Sequence, residues 1–310
     1  MDGEFRWRVA GEESDQLALF SPEHRELAKV EYLPVHARRI VNPVPAQSRM
    51  PFRFTINAYR GCRHACVYCF ARPTHTYLGM NAGEDFERRI VVKVNAVEKL
   101  RQELANPRWS GDLIAMGTNT DPYQPAEGRY RLTRGIIEVL SAVGNPFSIL
   151  TKSTMIQRDI DLLADAARRR LAQVSFSIGT VDREVWRSTE PGTPSPQSRL
   201  EAVAVMRDAG IACDVLVAPI LPGISDSPEQ LAAVARACAE AGARSVTPIV
   251  LHLRPGVREE YMGWLTEARP DLLEEYERRY GKGAYLPTLE NRRIAAMVRE
   301  HFVAAQQRAA

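Results

Sequence analysis

The chain has 310 residues, 45% apolar and 25% charged, a balance ordinary for a globular protein and sufficient for one sizeable core without a disulfide staple. Its formal charge of +3 permits a nucleic-acid partner without arguing for one. Met1 to Asp15 is acidic with no continuous apolar run, so no signal peptide is expected. The most apolar stretch, Val215–Ile224, is broken by Pro219 and Pro222 and is too short to span a bilayer, so a cytoplasmic protein with no membrane contact is expected.

Residues 1–50 read as an N-terminal extension and linker. Ser21-Pro22-Glu23 offers an N-cap, a first-turn proline and an acidic first turn for a short helix, and Val41-Asn42-Pro43-Val44-Pro45 reads as an extended linker. From Phe54 onward short β-rich runs alternate with longer helical patterns. Strands are predicted at Phe54–Tyr59, Asp112–Gly117, Phe147–Leu150, Val174–Ile178, Cys213–Ala218 and Ser245–Val250. Helices are predicted near Val94–Ala105, Thr133–Val143, Ile156–Arg170, Ser198–Ala209 and Pro228–Ala241, with Gly144, Gly210 and Gly242 where helix stops belong. Such alternation implies a parallel sheet with right-handed crossovers. Six units are too few for a closed eight-stranded barrel. The predicted fold is therefore α/β, a partial (βα)6 TIM-type barrel over residues 51–256, with a doubly wound open sheet as the alternative. In residues 257–310, Tyr261, Trp264 and Leu265, then Leu272, Leu273 and Tyr276, follow helical spacing and predict a helical cap on the barrel.

The chemistry concentrates in Tyr59-Arg60-Gly61-Cys62-Arg63-His64-Ala65-Cys66-Val67-Tyr68-Cys69-Phe70, directly after the first predicted strand. Five cysteines, an odd number with three inside eight residues, do not form a disulfide framework. Thiolates at Cys62, Cys66 and Cys69 can wrap one face of a [4Fe–4S] cube, which ordinarily takes four cysteines. The iron left without a protein ligand is an open position, the arrangement by which catalytic metals keep room for a reactant. S-adenosylmethionine (SAM) can fill it through its amino and carboxylate groups, and an electron from the cluster then breaks the sulfonium carbon–sulfur bond. Three other readings share these residues: a cysteine stripe on a buried helix, a zinc site completed by His64 or His75, and a redox pair of Cys66 and Cys69.

Polar or conformationally special residues follow every predicted strand at its C-terminal end. They are the cysteine loop, Thr118-Asn119-Thr120-Asp121, Thr151-Lys152-Ser153, Ser177 with Gly179, Pro219 through Asp226, and His252 with Arg254. In a parallel βα barrel that rim binds ligands. Lys152 can neutralise a carboxylate, Asp121 can receive an ammonium and Ser177 can bond a ribose hydroxyl, a set that suits a zwitterionic nucleoside such as SAM.

The cysteine motif, Thr-Asp-Pro-Tyr-Gln-Pro at 120–125, Leu-Thr-Lys at 150–152, Glu-Pro-Gly-Thr-Pro-Ser-Pro at 190–196 with Arg199-Leu200-Glu201, and Ala-Pro-Ile-Leu-Pro-Gly at 218–223 resemble the spore-photoproduct-lyase-like radical SAM proteins. Phe-Ala-Arg-Pro-Thr-His at 70–75 and His-Leu-Arg-Pro-Gly at 252–256 resemble more narrowly an actinobacterial subgroup. The resemblance runs from about Val41 to the C-terminal helices. It implies that Tyr68 lies near the adenine of SAM, that Thr120 and Asp121 face its amino group, that Lys152 meets its carboxylate and Ser177 its ribose. The backbone of Ala218, Pro219 and Ile220 would pack on the adenine, while Glu190 and Arg199 are either a scaffold pair or ligand-side residues. One departure matters. The lyase carries a hydrogen-donating cysteine three residues before its aspartate, and this chain has Thr118 there.

The expected activity is reductive cleavage of SAM to a 5′-deoxyadenosyl radical that abstracts hydrogen from an unidentified substrate, with electrons from a flavodoxin- or ferredoxin-type donor. The alternatives are a nucleic-acid lesion lyase and a zinc-stabilised nucleotide-binding protein. Arg38, Arg39, Arg60 and Arg63 can meet phosphate, as can Arg168-Arg169-Arg170, although that run ends a predicted helix, where cations complement the dipole.

Overall fold

A computed structural model describes residues 7–9 and 30–309, apart from 46 and 49. The strands are β1 Trp7–Val9, β2 Glu31–Ala37, β3 Val41–Pro43, β4 Phe54–Ile56, β5 Tyr59–Arg60, β6 Arg89–Lys93, β7 Ile114–Met116, β8 Phe147–Thr151, β9 Ala172–Ser177, β10 Cys213–Ile220 and β11 Ser245–Val250. The helices are α1 Glu84–Arg88, α2 Ala96–Leu104, α3 Ala126–Tyr130, α4 Leu132–Ala142, α5 Ile160–Arg168, α6 Arg183–Thr189, α7 Pro196–Asp208, α8 Pro228–Glu240, α9 Val257–Ala268, α10 Leu273–Tyr280 and α11 Thr288–Ala309. The short helix expected at Ser21 lies outside the described residues.

The larger sheet runs β11-β10-β9-β8-β7-β4-β3. Its six strands from β4 to β11 are mutually parallel, in the predicted order, and β3 pairs antiparallel with β4. Among the described residues no pairing joins β3 to β11, so the sheet is an open arc, a partial barrel. The stretch read as an extended linker is indeed extended, and its first three residues are β3. Alternation along the strands sorts the faces. Phe147 and Ile149 of β8, Val174 and Phe176 of β9, and Val215 and Val217 of β10 are fully buried in the core. Their intervening neighbours Ser148, Leu150, Ser175, Leu216 and Ala218 are only half-buried, leaving an accessible inner face. Full burial of each large apolar side chain contributes roughly 1.5–3 kcal/mol.

Helix starts follow local chemistry. Ser227 and Gln230 form a capping box ahead of Pro228 in α8, and the Ser195 hydroxyl accepts from Ser198 N–H ahead of Pro196 in α7. α11 lies against α8 and β11, its Ile294, Val298 and Phe302 buried at four-residue spacing, and so covers the edge strand.

A second, smaller sheet, β1-β2-β6-β5, was not predicted. β6 pairs parallel with β2 and antiparallel with β5. The strand expected over Phe54–Tyr59 is therefore split. It ends at Ile56 because Asn57 leaves the ladder, its side-chain oxygen accepting from Asn119 N–H at 3.1 Å and its carbonyl from Lys93 Nζ at 2.8 Å. Tyr59 and Arg60 then join the smaller sheet and lead straight into the cysteine loop.

Gly117, just past β7, has φ +90°, and a Cβ there would collide with the Leu150 carbonyl of β8. Gly117→Ala is expected to destabilise the fold by about 1–3 kcal/mol, read as a lower urea midpoint at unchanged slope. A midpoint within error of wild type would show that the β7–β8 spacing gives way at no cost.

Candidate cofactor and active site

The cysteine loop hangs between the two sheets. Cys62 N–H donates to the Phe86 carbonyl at 2.9 Å, and Gly61 O accepts from Thr120 Oγ1 at 2.6 Å and Gln124 Nε2 at 2.9 Å. Gln124, fully buried, also takes Arg63 N–H at 3.1 Å. From the other side, Val67 N–H donates to Thr189 O at 3.0 Å and Gly192 N–H to His64 O at 3.1 Å. Any side chain at position 192 would collide with the Arg63 carbonyl. The Glu-Pro-Gly-Thr segment is thus a brace built against the loop.

Cys62 and Cys66 are buried and Cys69 nearly so. Burial pushes all three thiols up, Cys62 well above its usual range and Cys66 to about 12. Cys213 and Cys238 are pushed as far by burial, so burial does not separate the two sets. Company does. Cys62 and Cys66 each feel the charge of neighbouring loop thiols, whereas Cys213 at the start of β10 answers to Asp214 and Arg244, and Cys238 in α8 to burial alone. Thiols gathered in such a loop become thiolates only against compensating positive charge, of the kind a bound metal supplies.

Thr120 and Asp121 serve this loop directly. Asp121 accepts from Tyr123 N–H at 2.9 Å, Thr151 Oγ1 at 2.7 Å and Lys152 N–H at 2.7 Å, and His64 Nδ1 stands 3.4 Å away. A carboxylate has about four acceptor sites, and these partners take them. Burial works to raise the Asp121 carboxyl, but His64 and the hydrogen bonds hold it below its usual range.

Lys152, at the end of β8, points across the rim. Its Nζ donates to Ser177 Oγ at 2.7 Å, lies 3.9 Å from Glu190 and stands 5.6 Å from the Tyr68 ring centroid. Ser177 Oγ donates onward to Ala218 O at 2.9 Å. Glu190 accepts from the Tyr68 hydroxyl and from Arg199, whose guanidinium also donates to Ser177 O at 2.8 Å and Pro194 O at 2.9 Å. Burial opposes ionisation of Glu190, but Arg199 and Lys152 outweigh it and hold the carboxyl below its usual range. The structure thus brings Tyr68, Lys152, Ser177 and Ala218 together, with Pro219 and Ile220 following at the end of β10. His252 and Arg254, on the same rim after β11, both contact Tyr285, with Arg254 donating to its hydroxyl at 2.8 Å.

Gln124 and Arg72 were missed as site residues. Arg72 Nε donates to Cys66 O at 3.0 Å. Both sit in the motifs quoted above, but their partners come from backbone carbonyls and N–H groups that a sequence does not display. Of the two candidate zinc histidines, His64 faces Asp121 and His75 Nε2 donates to Arg89 O at 3.0 Å. Among the described residues no three His, Cys, Asp or Glu side chains are grouped to hold a single metal ion. No helix among them is long and apolar enough to cross a membrane.

Three loop thiols, a lysine and a serine gathered at the rim of a parallel partial barrel define a class, and comparison with known proteins identifies it. Residues 56–235 match the radical SAM superfamily. The chain belongs to that family and is an enzyme of it. An uncharacterized protein of Mycobacterium tuberculosis is 46% identical over 280 residues, covering 89% of this chain and 82% of the relative. A radical SAM Nalpha-GlyT isomerase of a Pseudomonas phage is 28% identical over 164 residues, covering 53% of this chain and 32% of that protein. Spore photoproduct lyase complexed with dinucleoside spore photoproduct shares the fold with TM-score 0.64 at 20% identity, over 88% of this chain and 79% of that one.

Proposed function

We propose that Cys62, Cys66 and Cys69 hold a [4Fe–4S] cluster and that the enzyme cleaves SAM to a 5′-deoxyadenosyl radical for hydrogen abstraction. The observation that carries this is three thiols, two buried and one partly buried, in one braced loop at the rim, with Cys213 and Cys238 placed elsewhere. A single zinc ion draws its thiolates to about 2.3 Å, whereas a cubane spreads three thiolates over three irons. The histidines that could complete a zinc site are engaged elsewhere, His64 beside Asp121 and His75 on Arg89 O, and three cysteines without a fourth protein ligand suit the second arrangement. Bound there, cluster and SAM together supply a one-electron cleavage of the sulfonium carbon–sulfur bond.

The chain's own residues place the reactant. Lys152 meets the SAM carboxylate, exchanging its bond to Ser177 for a charged partner and freeing the Ser177 hydroxyl for the ribose. The Tyr68 ring and the backbone of Ala218, Pro219 and Ile220 flank the adenine. Thr120, which the resemblance sets at the amino group with Asp121, spends its hydroxyl on Gly61 O of the loop. Asp121 is occupied by Tyr123, Thr151 and Lys152 with His64 of the loop beside it, so we assign both to holding the loop against the end of β8. Lys152→Ala is expected to weaken SAM binding about ten- to a hundredfold at unchanged iron content, because the lysine lies on a different strand from the cysteines. Anaerobic titration calorimetry decides it, and unchanged affinity would turn Lys152 toward the substrate instead.

Electrons come from an external one-electron donor of the flavodoxin or ferredoxin type. The substrate reading departs from the lyase at Thr118, whose hydroxyl is engaged with Asn57. A threonine O–H or C–H bond is too strong to quench a carbon radical readily, and Cys213 lies at the far end of β10 from the rim. The final hydrogen therefore comes from something other than a cysteine of this chain, or SAM is consumed. A nucleic-acid substrate is the second reading, supported by Arg254 and His252 around Tyr285 and by the exposed Phe70 directly after Cys69. The test is an anaerobic assay for 5′-deoxyadenosine with DNA, RNA and peptide pools. A reconstituted protein that takes up no iron and forms no 5′-deoxyadenosine would sink the proposal.

A further inference from the structure

Arg72 belongs to none of the SAM contacts proposed above, yet it is 3% exposed and almost fully committed. Besides Cys66 O at 3.0 Å, it donates to Ala82 O at 3.0 Å and Gly83 O at 3.2 Å, and pairs with Glu87. The guanidinium lies 5.4 Å from the centroid of the Phe86 ring, which packs with Cys62 and Ala71. One side chain thus joins the carbonyl of the second cysteine to the segment that supports the first, since Phe86 O accepts from Cys62 N–H. The Arg72 backbone N–H donates in turn to the Cys69 carbonyl at 3.3 Å, so the same residue also holds the third cysteine. Glu87, more exposed at 27%, meets the guanidinium at Nη2, while Cys66 O is bonded by Nε.

We propose that Arg72 is a positioning residue for the cluster loop and that its charge, offset by Glu87, sets the reduction potential of the cluster. This rests on the cluster assignment above. A cluster that accepts an electron gains negative charge, and in a buried site a fixed cation bonded to the loop that holds it stabilises the reduced form more than the oxidised one. Removing the cation lowers the potential, and removing the carboxylate that offsets it raises the potential. The fork geometry matters separately, because a lysine keeps the charge but cannot reach three carbonyls and a carboxylate at once. Lys152, Asp121 and Glu190 also surround the thiols, but they bond to one another and to the rim rather than to Arg72.

The experiment compares wild type, Arg72→Gln, Arg72→Lys and Glu87→Gln as full-length, anaerobically reconstituted proteins. Readouts are iron and sulfide content, chelator resistance, and the midpoint potential from an electron-paramagnetic-resonance titration. Glu87→Gln is expected to keep the wild-type iron content with a midpoint shifted upward. Arg72→Lys is expected to hold its midpoint near wild type while losing iron to chelator roughly 10- to 100-fold more readily, the usual cost of losing an outer-shell partner. Arg72→Gln combines weak retention with a lowered midpoint. If Arg72→Gln fails to assemble, Glu87→Gln still decides, and a midpoint equal to wild type overturns the tuning role. Arg72→Lys as chelator-resistant as wild type overturns the positioning role. Wild-type protein without iron would sink the cluster assignment itself, an outcome separate from both.

Discussion

Alanine at Cys62, Cys66 or Cys69 is expected to remove iron and sulfide and to abolish 5′-deoxyadenosine formation, whereas Cys213→Ala and Cys238→Ala keep both. The contrast is demanding because all five thiols are shielded from water or nearly so. Cys213→Ala and Cys238→Ala remove a buried sulfur from the β10–α8 layer and are expected to cost stability on the order of 1 kcal/mol. The three loop variants remove side chains whose surroundings are held by backbone bonds through Gly61, His64 and Val67, so the apoprotein should stay folded. Iron and sulfide analysis with visible absorbance separates loss of the site from loss of the fold, which circular dichroism reports. A full four-iron cluster in Cys66→Ala would overturn the assignment. A colourless wild-type protein with one zinc would restore the zinc reading.

Much of this architecture was legible because it is local. β11 begins and ends where β-rich Ser245–Val250 does, and β8 runs one residue past its prediction. α8 begins at Pro228 as predicted, behind the Ser227 cap, whereas α7 begins at Pro196 behind Ser195, two residues before the predicted Ser198. The smaller sheet was illegible for the opposite reason. Arg89–Lys93 pairs with Glu31–Ala37, more than fifty residues earlier, and Pro34 within that strand argues against reading it as one. At the site, residue types were legible but directions were not. The polarity of Thr120 and Asp121 was plain, yet whether they face a ligand or the loop depends on Gly61, Thr151 and Lys152, which only the fold brings near. Arg72 and Gln124 are harder still, since a buried side chain that bonds to carbonyls looks in sequence like any surface polar residue.

The pair left open between scaffold and ligand roles, Glu190 and Arg199, is both braced and adjacent to the pocket. Glu190 joins Tyr68 on the cysteine loop to Arg199 on α7, and Arg199 reaches Ser177 O on β9. Arg199 is 1% exposed, so Arg199→Ala leaves Glu190 buried with its main counter-charge gone. The expected cost at neutral pH is about 3–5 kcal/mol, the usual penalty for an uncompensated buried charge. The pH dependence identifies the cause. In the wild type the Glu190 carboxyl is held below its usual range, so its contribution is present above the unfolded carboxylate value and lost as pH falls through the folded one. Without Arg199, burial prevails and the folded carboxyl rises above the unfolded value of roughly 4.3. The variant then loses stability as pH rises through that range, so its deficit against wild type is small in acid and full at neutrality. Urea unfolding of the cluster-free proteins at several pH values measures this without metal linkage. Adding Glu190→Gln to Arg199→Ala should recover part of the loss, because the stranded charge is gone although the Arg199 volume is still missing. A deficit that stays constant with pH, and no recovery in the double variant, would assign the role of Arg199 to packing and not to charge.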